Sequence, residues 1–545
     1  MKTIKQLLIT IAVLLCSTTL QAHDFEVDGI YYNILSTDSL TVEVTYRGVS
    51  CDEYSHEYSG DVIIPSDVTY SENVYSVTTI GGGSFYNCDS LTSIVIPCSV
   101  TSIESIGDGT PFGIGAFEGC SNLKTVTFGE NSQLTSIGNE VFYNCSSLTS
   151  IEIPNSVKTI GVISAISNGA FEGCSNLKTV TFGDNSQLTS IGNNVFYNCS
   201  SLTNIEIPNS VTSIGSGAFN GCSSLTSIEI PNSVTWLYFN NYHHRGAFEN
   251  CSSLTNVTFE ENSQLTIIVE STFSGCSSLT NVTFGKDSQL TSIGNNVFYN
   301  CSSLTNIEIP NSVTSIGSGA FNGCSSLTSI EIPSGITNIE DDVFNGCTSL
   351  KHLSIEDGET ILKLESNTFS DCSLETIYMG RTISFSSPSP FYNIRTLKTL
   401  TIGSDVTEIY GKTFYNCSGI ESIYMTSVPP SAGDDTFSNT NYYLTTLYVP
   451  NGTLGFYQTA DVWKEFWNIQ EYEPTSSKDG EAEIPNFSIT SNNISFSNAN
   501  NSTVAIYSIN GVLVKKIDKY AGEEITLEKG VYIVSVGDKA MKIKL

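Results

Sequence analysis

The chain of 545 residues is too long for one compact core, because single hydrophobic cores stop growing near roughly 250–300 residues. Its 55 acidic side chains against 23 basic ones leave a formal charge of −32. That balance argues against nucleic acid and anionic membrane surfaces, which recruit clustered Lys and Arg, and favours solubility and cationic or calcium-bridged partners.

The first 22 residues read as a secretory signal. Lys2 and Lys5 supply the charged start, residues 7–15 a short apolar run, and Ala22 a small residue before a cleavage point at His23. The run is too short to span a bilayer. Cys16 raises a lipoprotein alternative, against which Leu15 is bulky where a lipidation motif wants a small residue. No later segment qualifies as a transmembrane helix, so the mature chain is expected outside the cell, soluble or surface-attached. Residues 23–59 follow with strand-like alternation around Tyr31 and Tyr46 and are expected to form an N-terminal β cap.

From residue 60 to 450 the chain repeats. Phe recurs at 85, 117, 142, 171, 196, 219, 248, 273, 298, 321, 344, 369, 391, 414 and 437, and Cys follows three positions later except at Ile394 and Thr440. A period of this size predicts a solenoid of about 15 stacked coils, each burying its apolar face on the next. Within a unit, Ile307 and Ile309 flank Glu308 as in a short strand covered on one face, and Pro310 ends it because proline has no amide to donate. Val313 and Ile316 return the chain to the core, and Phe321 and Cys324 anchor the far side. A second unit type is two residues longer, and residues 186–231 are identical to 288–333, as in a recent internal duplication.

Sixteen cysteines in an exported chain ordinarily suggest disulfides. Equivalent residues of stacked coils, however, lie about 4.7–4.9 Å apart with parallel side chains, whereas a disulfide wants Cβ atoms about 3.8 Å apart and facing. The periodic cysteines from Cys88 to Cys417 are therefore expected as a buried thiol ladder. Cys51 and Cys98 stand outside it and are the better-placed pair if any pair exists.

The pattern Leu-x-x-Ile-x-Ile-Pro-x-Ser-Val-Thr-x-Ile-Gly-x-x-Ala-Phe-x-x-Cys at residues 304–324 resembles the BspA-like, treponemal-type bacterial leucine-rich repeat. The resemblance covers about residues 60–450 and departs from it in longer coils at 101–116, 159–170 and 235–247. It implies an α/β-type leucine-rich repeat solenoid of mostly short parallel strands with irregular or short helical convex segments. It also implies strands lining a concave face, and a cell-surface protein that binds host proteins or other cells. Residues 451–470, with Tyr457, Val462, Trp463, Phe466 and Trp467 at helical spacing, are expected as a C-terminal cap carrying a short amphipathic helix over 455–467. Residues 471–485 read as a polar linker. Residues 486–545 read as a small β-sandwich with turns at Asn510-Gly511 and Lys529-Gly530, and its strands resemble the sorting domain of type IX secretion. That second resemblance implies passage through the outer membrane and display on a Bacteroidota-type cell.

For catalysis the chain offers little. It has five His, at 23, 56, 243, 244 and 352, and no Cys-x-x-Cys, His-Glu-x-x-His, Gly-x-Ser-x-Gly or phosphate-binding glycine loop, so no enzyme activity and no cofactor is expected. Adjacent His243 and His244 on a strand face opposite ways, which disfavours a metal site. Binding is placed instead on the exposed mid-strand position of the coils. That row passes through Glu206, Glu229, Glu308 and Glu331 and ends in Tyr378, Tyr424 and Tyr448. Tyrosine supplies rigid contact area with a polar tip. The Glu206/Glu229 and Glu308/Glu331 pairs are expected in adjacent coils, where two carboxylates offer too few oxygens for calcium and are better read as solvated. The insertion with Trp236, Tyr238 and Tyr242 has two readings, a cover for an enlarged coil or a protruding recognition loop. The function these features point to is binding of an extracellular protein or glycoprotein, or of other cells. A passive surface coat is the rival reading.

Overall fold

The computed structural model describes residues 23–48, 50–51, 56–106, 113–163, 167–238, 245–386, 388–473, 487–490, 493–496, 503–508, 513–521, 523–527, 531–536 and 539–544. The signal, Cys16, Tyr242, His243, His244, most of the linker and both C-terminal turns lie outside these residues. The chain divides into two compact units, the first comprising Met1–Leu327, Gly335–Ser349 and Leu364–Cys372, the second Thr328–Ser334, Leu350–Lys363 and Ser373–Leu545.

In the first unit most coils contribute a short strand to a parallel ladder, which is broken into separate sheets, and a two-residue strand to a second; at 306–309 Ile307 and Ile309 are buried and Glu308 exposed as expected, but without strand pairing. Along the first ladder Thr125–Phe128 pairs with Leu91–Ile96, Thr179–Phe182 with Ser150–Ile153, and Asn256–Phe259 with Ser227–Ile230, all parallel. The alternation is as the sequence requires: Ile151 and Ile153 are buried while Glu152 between them is exposed. The second ladder runs Ser102–Ile103, Ser136–Ile137, Thr159–Ile160, Ser190–Ile191, Ser213–Ile214 and Trp236–Leu237. Its start is covered by Phe25–Val27, Ile30–Ser36 and Thr41–Thr45, which pair antiparallel before Thr41–Thr45 joins Asn73–Ile80 in parallel. An open edge would otherwise template pairing with another chain.

The third side of the coil is made of turns, and there the repeat is held hardest. From Phe85 to Phe369 every periodic Phe ring stacks on the next, with centroids 4.8–5.7 Å apart and planes within 23°. Each Phe amide donates to the following coil, as Phe117 N–H does to Val141 O at 2.9 Å, so the turns are tied like strands. The Phe carbonyl accepts twice: from the Cys amide of its own coil, as Cys145 N–H to Phe142 O at 3.1 Å, and from the next coil's thiol, as Cys174 Sγ to the same oxygen at 3.2 Å. That second bond repeats from Cys120 to Cys372. The thiol is thus a donor small enough for the core that also satisfies a buried carbonyl. Burial pushes the Cys276 and Cys324 thiols up to about 12, which keeps them protonated and donating. Cys51 and Cys98 form no disulfide with each other: Cys51 is buried beside Gly83 and Cys98 is exposed.

Two positions after each Phe the backbone enters the left-handed region, and from Phe85 to Phe321 Asn and Gly alternate there, as Asn144 and Gly173, Asn198 and Gly221, Asn250 and Gly275, Asn300 and Gly323. The reason lies between coils. Each Asn Oδ1 overlies the next coil's glycine, where a Cβ would collide with it. Asparagine tolerates the positive φ and glycine leaves the room.

The second unit carries one seven-stranded ladder, Ser329–Ile332, His352–Ile355, Thr376–Arg381, Thr399–Asp405, Ser422–Met425, Thr446–Pro450 and Asn468–Tyr472. Phe391, Phe414 and Phe437 stack within it, and Cys417 Sγ donates to Phe391 O at 3.1 Å. Trp463 and Phe466 close the stack edge-on to Phe437, each at 5.6 Å. The expected amphipathic helix is a single turn, Leu454–Tyr457, followed by a 3-10 turn Trp463–Glu465, because Val462 takes φ 68 and breaks the run. Trp463 is buried with Nε1–H donating to Pro430 O at 2.9 Å, while Trp467 is 76% exposed, so the aromatics do not share one face. The last strand runs past the expected cap boundary at residue 470 to Tyr472. The C-terminal segment forms antiparallel sheets of three and four strands around Ile494, Phe496, Val504, Ile506, Tyr520, Ile525 and Val534.

Three outcomes test this packing. Among the described thiols, Cys98 reacts quickly with an aromatic disulfide reagent in the native protein and Cys372 slowly, while the remaining ladder cysteines react upon unfolding. Gly221→Ala lowers stability in urea melts by more than about 1–2 kcal/mol, the cost of an L-residue in the left-handed region plus the collision with Asn198 Oδ1, and Asn198→Gly recovers the collision part alone. Glu140 is 1% exposed, and burial, ahead of the hydrogen bond from Asn168 N–H that opposes it, raises its carboxyl to about 7. A raised acid lends stability below its unfolded pKa of about 4.3 that is lost as pH climbs to about 7. Glu140→Gln is expected to flatten that decline, which chemical melts at successive pH values between 4 and 8 would read.

Candidate binding surface

The second unit's strand face is where the outward aromatic side chains gather. Parallel pairing sets Ser354 beside Tyr378, Tyr378 beside Thr401, Thr401 beside Tyr424 and Tyr424 beside Tyr448. Tyr424 and Tyr448 stack with centroids 4.6 Å apart and planes 6° apart, each half-exposed. Tyr472 stands edge-on to both at 5.6 and 6.3 Å, its hydroxyl donating to Met425 O at 2.9 Å. Burial, and secondarily Tyr448, raises the Tyr424 phenol above its ordinary value, so it stays a neutral donor and acceptor. Tyr378 stands apart. Buried Thr401 separates it from Tyr424, and its hydroxyl donates to Asp357 Oδ1 at 2.5 Å. The sequence reading missed Tyr472 because it placed that residue in the linker. Its signal was the alternation of Gln470 and Tyr472 two by two with the row before it.

Beside this face, Glu375 bridges Lys351 at 2.8 Å and Lys398 at 3.6 Å in the neighbouring coils. Such exposed pairs contribute about 0–1 kcal/mol and serve register more than stability.

In the first unit the carboxylate row is open to solvent. Glu206, Glu229 and Glu308 are exposed, as is Glu331 in the second unit. Pairing sets Glu229 opposite Thr258 and Glu331 opposite Ser354, so one lateral neighbour of each is a hydroxyl rather than a like charge. Among the described residues no three His, Cys, Asp or Glu side chains converge to hold a metal.

Trp236 and Tyr238 lie on the second ladder, not on the strand that carries Glu229. They are 61% and 40% exposed, with rings 6.3 Å apart, while Leu237 between them fills the core. Trp236 and Tyr238 therefore point outward, while Tyr242 lies outside the described residues.

Comparison with known proteins identifies the architecture. The family described as BspA type leucine-rich repeat region matches residues 78–164, 162–244, 241–364 and 354–460. Among solved structures, the chain is similar to a leucine-rich repeat protein of Bacteroides ovatus, with 26% identity and a TM-score of 0.51, covering 83% of this chain and 100% of that one. It is also similar to a leucine-rich cell surface protein of Faecalibacterium prausnitzii, with 25% identity, 74% and 94% coverage and a TM-score of 0.37. A third is the pneumococcal vaccine antigen PcpA, with 19% identity, 83% and 98% coverage and a TM-score of 0.36. No curated protein sequence matches significantly. No helix among the described residues is long and apolar enough to cross a membrane. With its repeat signature matched across most of the solenoid, the chain belongs to the BspA-type leucine-rich repeat family.

Proposed function

We propose that this chain is a secreted or outer-membrane surface protein without catalytic activity. It binds an extracellular protein or glycoprotein, or another cell, through the outward side chains of its strand ladder. The observation that carries the reading is the Tyr424, Tyr448 and Tyr472 cluster: three phenols packed on rigid strands, half-exposed, with their stems already ordered. Such side chains lose little conformational entropy on binding, which is why tyrosine concentrates in interface anchors. The basic start and apolar run of residues 1–22 support export, and the antiparallel C-terminal sheets agree with a sorting-type domain that would display the solenoid.

A passive coat is the second reading. The identity of residues 186–231 with 288–333 favours it, since uniform coils give a ligand little to distinguish. The two separate in a binding experiment on the purified mature chain against matrix proteins, host glycoproteins and bacterial cells. Saturable binding weakened at least about tenfold by Tyr424→Ala/Tyr448→Ala, with Tyr378→Ala nearly neutral because Asp357 already engages it, supports a specific binder. No saturable binding to any of these targets supports the coat.

A further inference from the structure

A second surface lies on the turn edge of the first unit, at the residue after each periodic Phe. There the chain places Tyr86, Glu118, Tyr143, Glu172, Tyr197 and, two coils on, Glu249. Each of the three longer coils ends in Gly-Ala-Phe-Glu, and the glutamate bends back to accept from the glycine amide: Glu118 from Gly115, Glu172 from Gly169 and Glu249 from Gly246, at 2.9–3.1 Å. The carboxylates are thereby fixed in position along the edge.

At Tyr197 the molecule itself shows what this edge holds. The guanidinium carbon of Arg245 lies 4.1 Å from the Tyr197 ring centroid, and its Nη1 donates to Asn194 Oδ1 at 3.3 Å. Glu172 and Glu249 are close enough to feel that charge. The arrangement is a cation–π contact.

One coil before Glu172, Tyr143 repeats the setting without the arginine. Tyr143 lies in the field of Glu172, Glu118 and Glu140, and none of the described residues places a cation over its ring. Residues 132–149 and 186–203 are identical except at one position, where Glu140 replaces Asn194. Glu140 is buried, its Oε1 accepts from Asn168 N–H and Nδ2 at 3.1 and 3.2 Å, and its Oε2 has no partner. A buried carboxylate oxygen left unpaired is costly. It stands at the position whose oxygen, one sister coil away, receives a guanidinium.

We propose that the edge formed by Tyr143, Glu118, Glu140 and Glu172 is a docking site for an arginine side chain of a basic partner protein, as Tyr197 and Asn194 dock Arg245. Arginine fits where lysine does not, because a planar guanidinium stacks on a ring face and donates at its rim at once. The inference is independent of the strand face, which carries none of these residues.

The test titrates the full mature chain with the acetylated, amidated peptide Gly-Arg-Gly-Arg-Gly and its Lys counterpart by calorimetry at low salt. The arginine peptide is expected to bind at least about tenfold more tightly than the lysine peptide. Tyr143→Leu, checked by thermal melting, should weaken it about tenfold or more, while Glu140→Asn, which copies the sister coil where Asn194 accepts from Arg245, should keep the fold and the arginine preference. Asp184→Asn removes one exposed charge after the strand Thr179–Phe182, away from the turn edge, and should leave it unchanged. Equal weakening by Asp184→Asn, absence of an arginine preference, or absence of binding overturns the proposal.

Discussion

The stacked coils depend on one contact: a phenylalanine ring lying flat on its counterpart in the next coil, with the carbonyl beneath it shared between an amide and a thiol. A coil of some 23–25 residues cannot bury its own apolar face, so it is stable against a neighbour and not alone. The ring stack sets the separation, near 5 Å, and the shared carbonyl sets the registry, because Sγ reaches that oxygen from one position in the following coil. Serine at this position would also donate, but with a shorter reach and a larger penalty for burial. Cysteine is small, apolar and a donor together. The recurrence of cysteine in an exported chain is therefore a packing device and not a covalent one.

The same stacking explains where the sequence tolerates change. At the turn two residues after Phe, asparagine and glycine alternate from Asn87 to Gly323 because one coil's amide oxygen occupies the space above the next coil's backbone. At the outward mid-strand position no such constraint acts, and side chains drift from Thr and Glu in the first unit to Tyr in the second. Insertions enter at one place in the coil, ahead of Gly-Ala-Phe-Glu, where the chain leaves the second ladder before it must return to the ring stack. Variation is thus confined to the strand face and to the turn edge with its insertions, and these are the surfaces on which binding has been placed.

The binding reading follows from that division. A rigid ladder presents side chains at about 5 Å intervals with their stems held, so affinity can be assembled from several modest contacts in place of one deep pocket. The two surfaces differ in chemistry. Around Tyr424, Tyr448 and Tyr472 the strand face of the second unit is neutral and aromatic, while the turn edge of the first unit is aromatic and anionic. A chain of such negative charge has few cations to spare, and Arg245 lying on Tyr197 shows the edge engaging one of them.

How much of this was legible in the sequence divides along physical lines. Local periodicity reports what every coil must repeat. The Phe and Cys positions, the strand with exposed Glu between buried Ile residues, the proline that ends it and the free thiols could all be read from spacing, because stacking imposes them coil after coil. The N-terminal strands and the outward Tyr424 and Tyr448 were visible for the same reason. What spacing does not report is the meeting of residues from different coils. Tyr472 looked like linker until the last strand placed it edge-on to Tyr424. Tyr378 looked like a ladder member until Asp357 engaged its hydroxyl, and the helical spacing of 455–467 was broken by a single left-handed residue at Val462. Glu140 differs by one side chain from its sister coil, a signal present in the sequence but without meaning there. The sequence alone determined the repeat and its core, because those are local and periodic. The tertiary structure decided which side chains become neighbours, because that depends on contacts between coils that no single coil encodes.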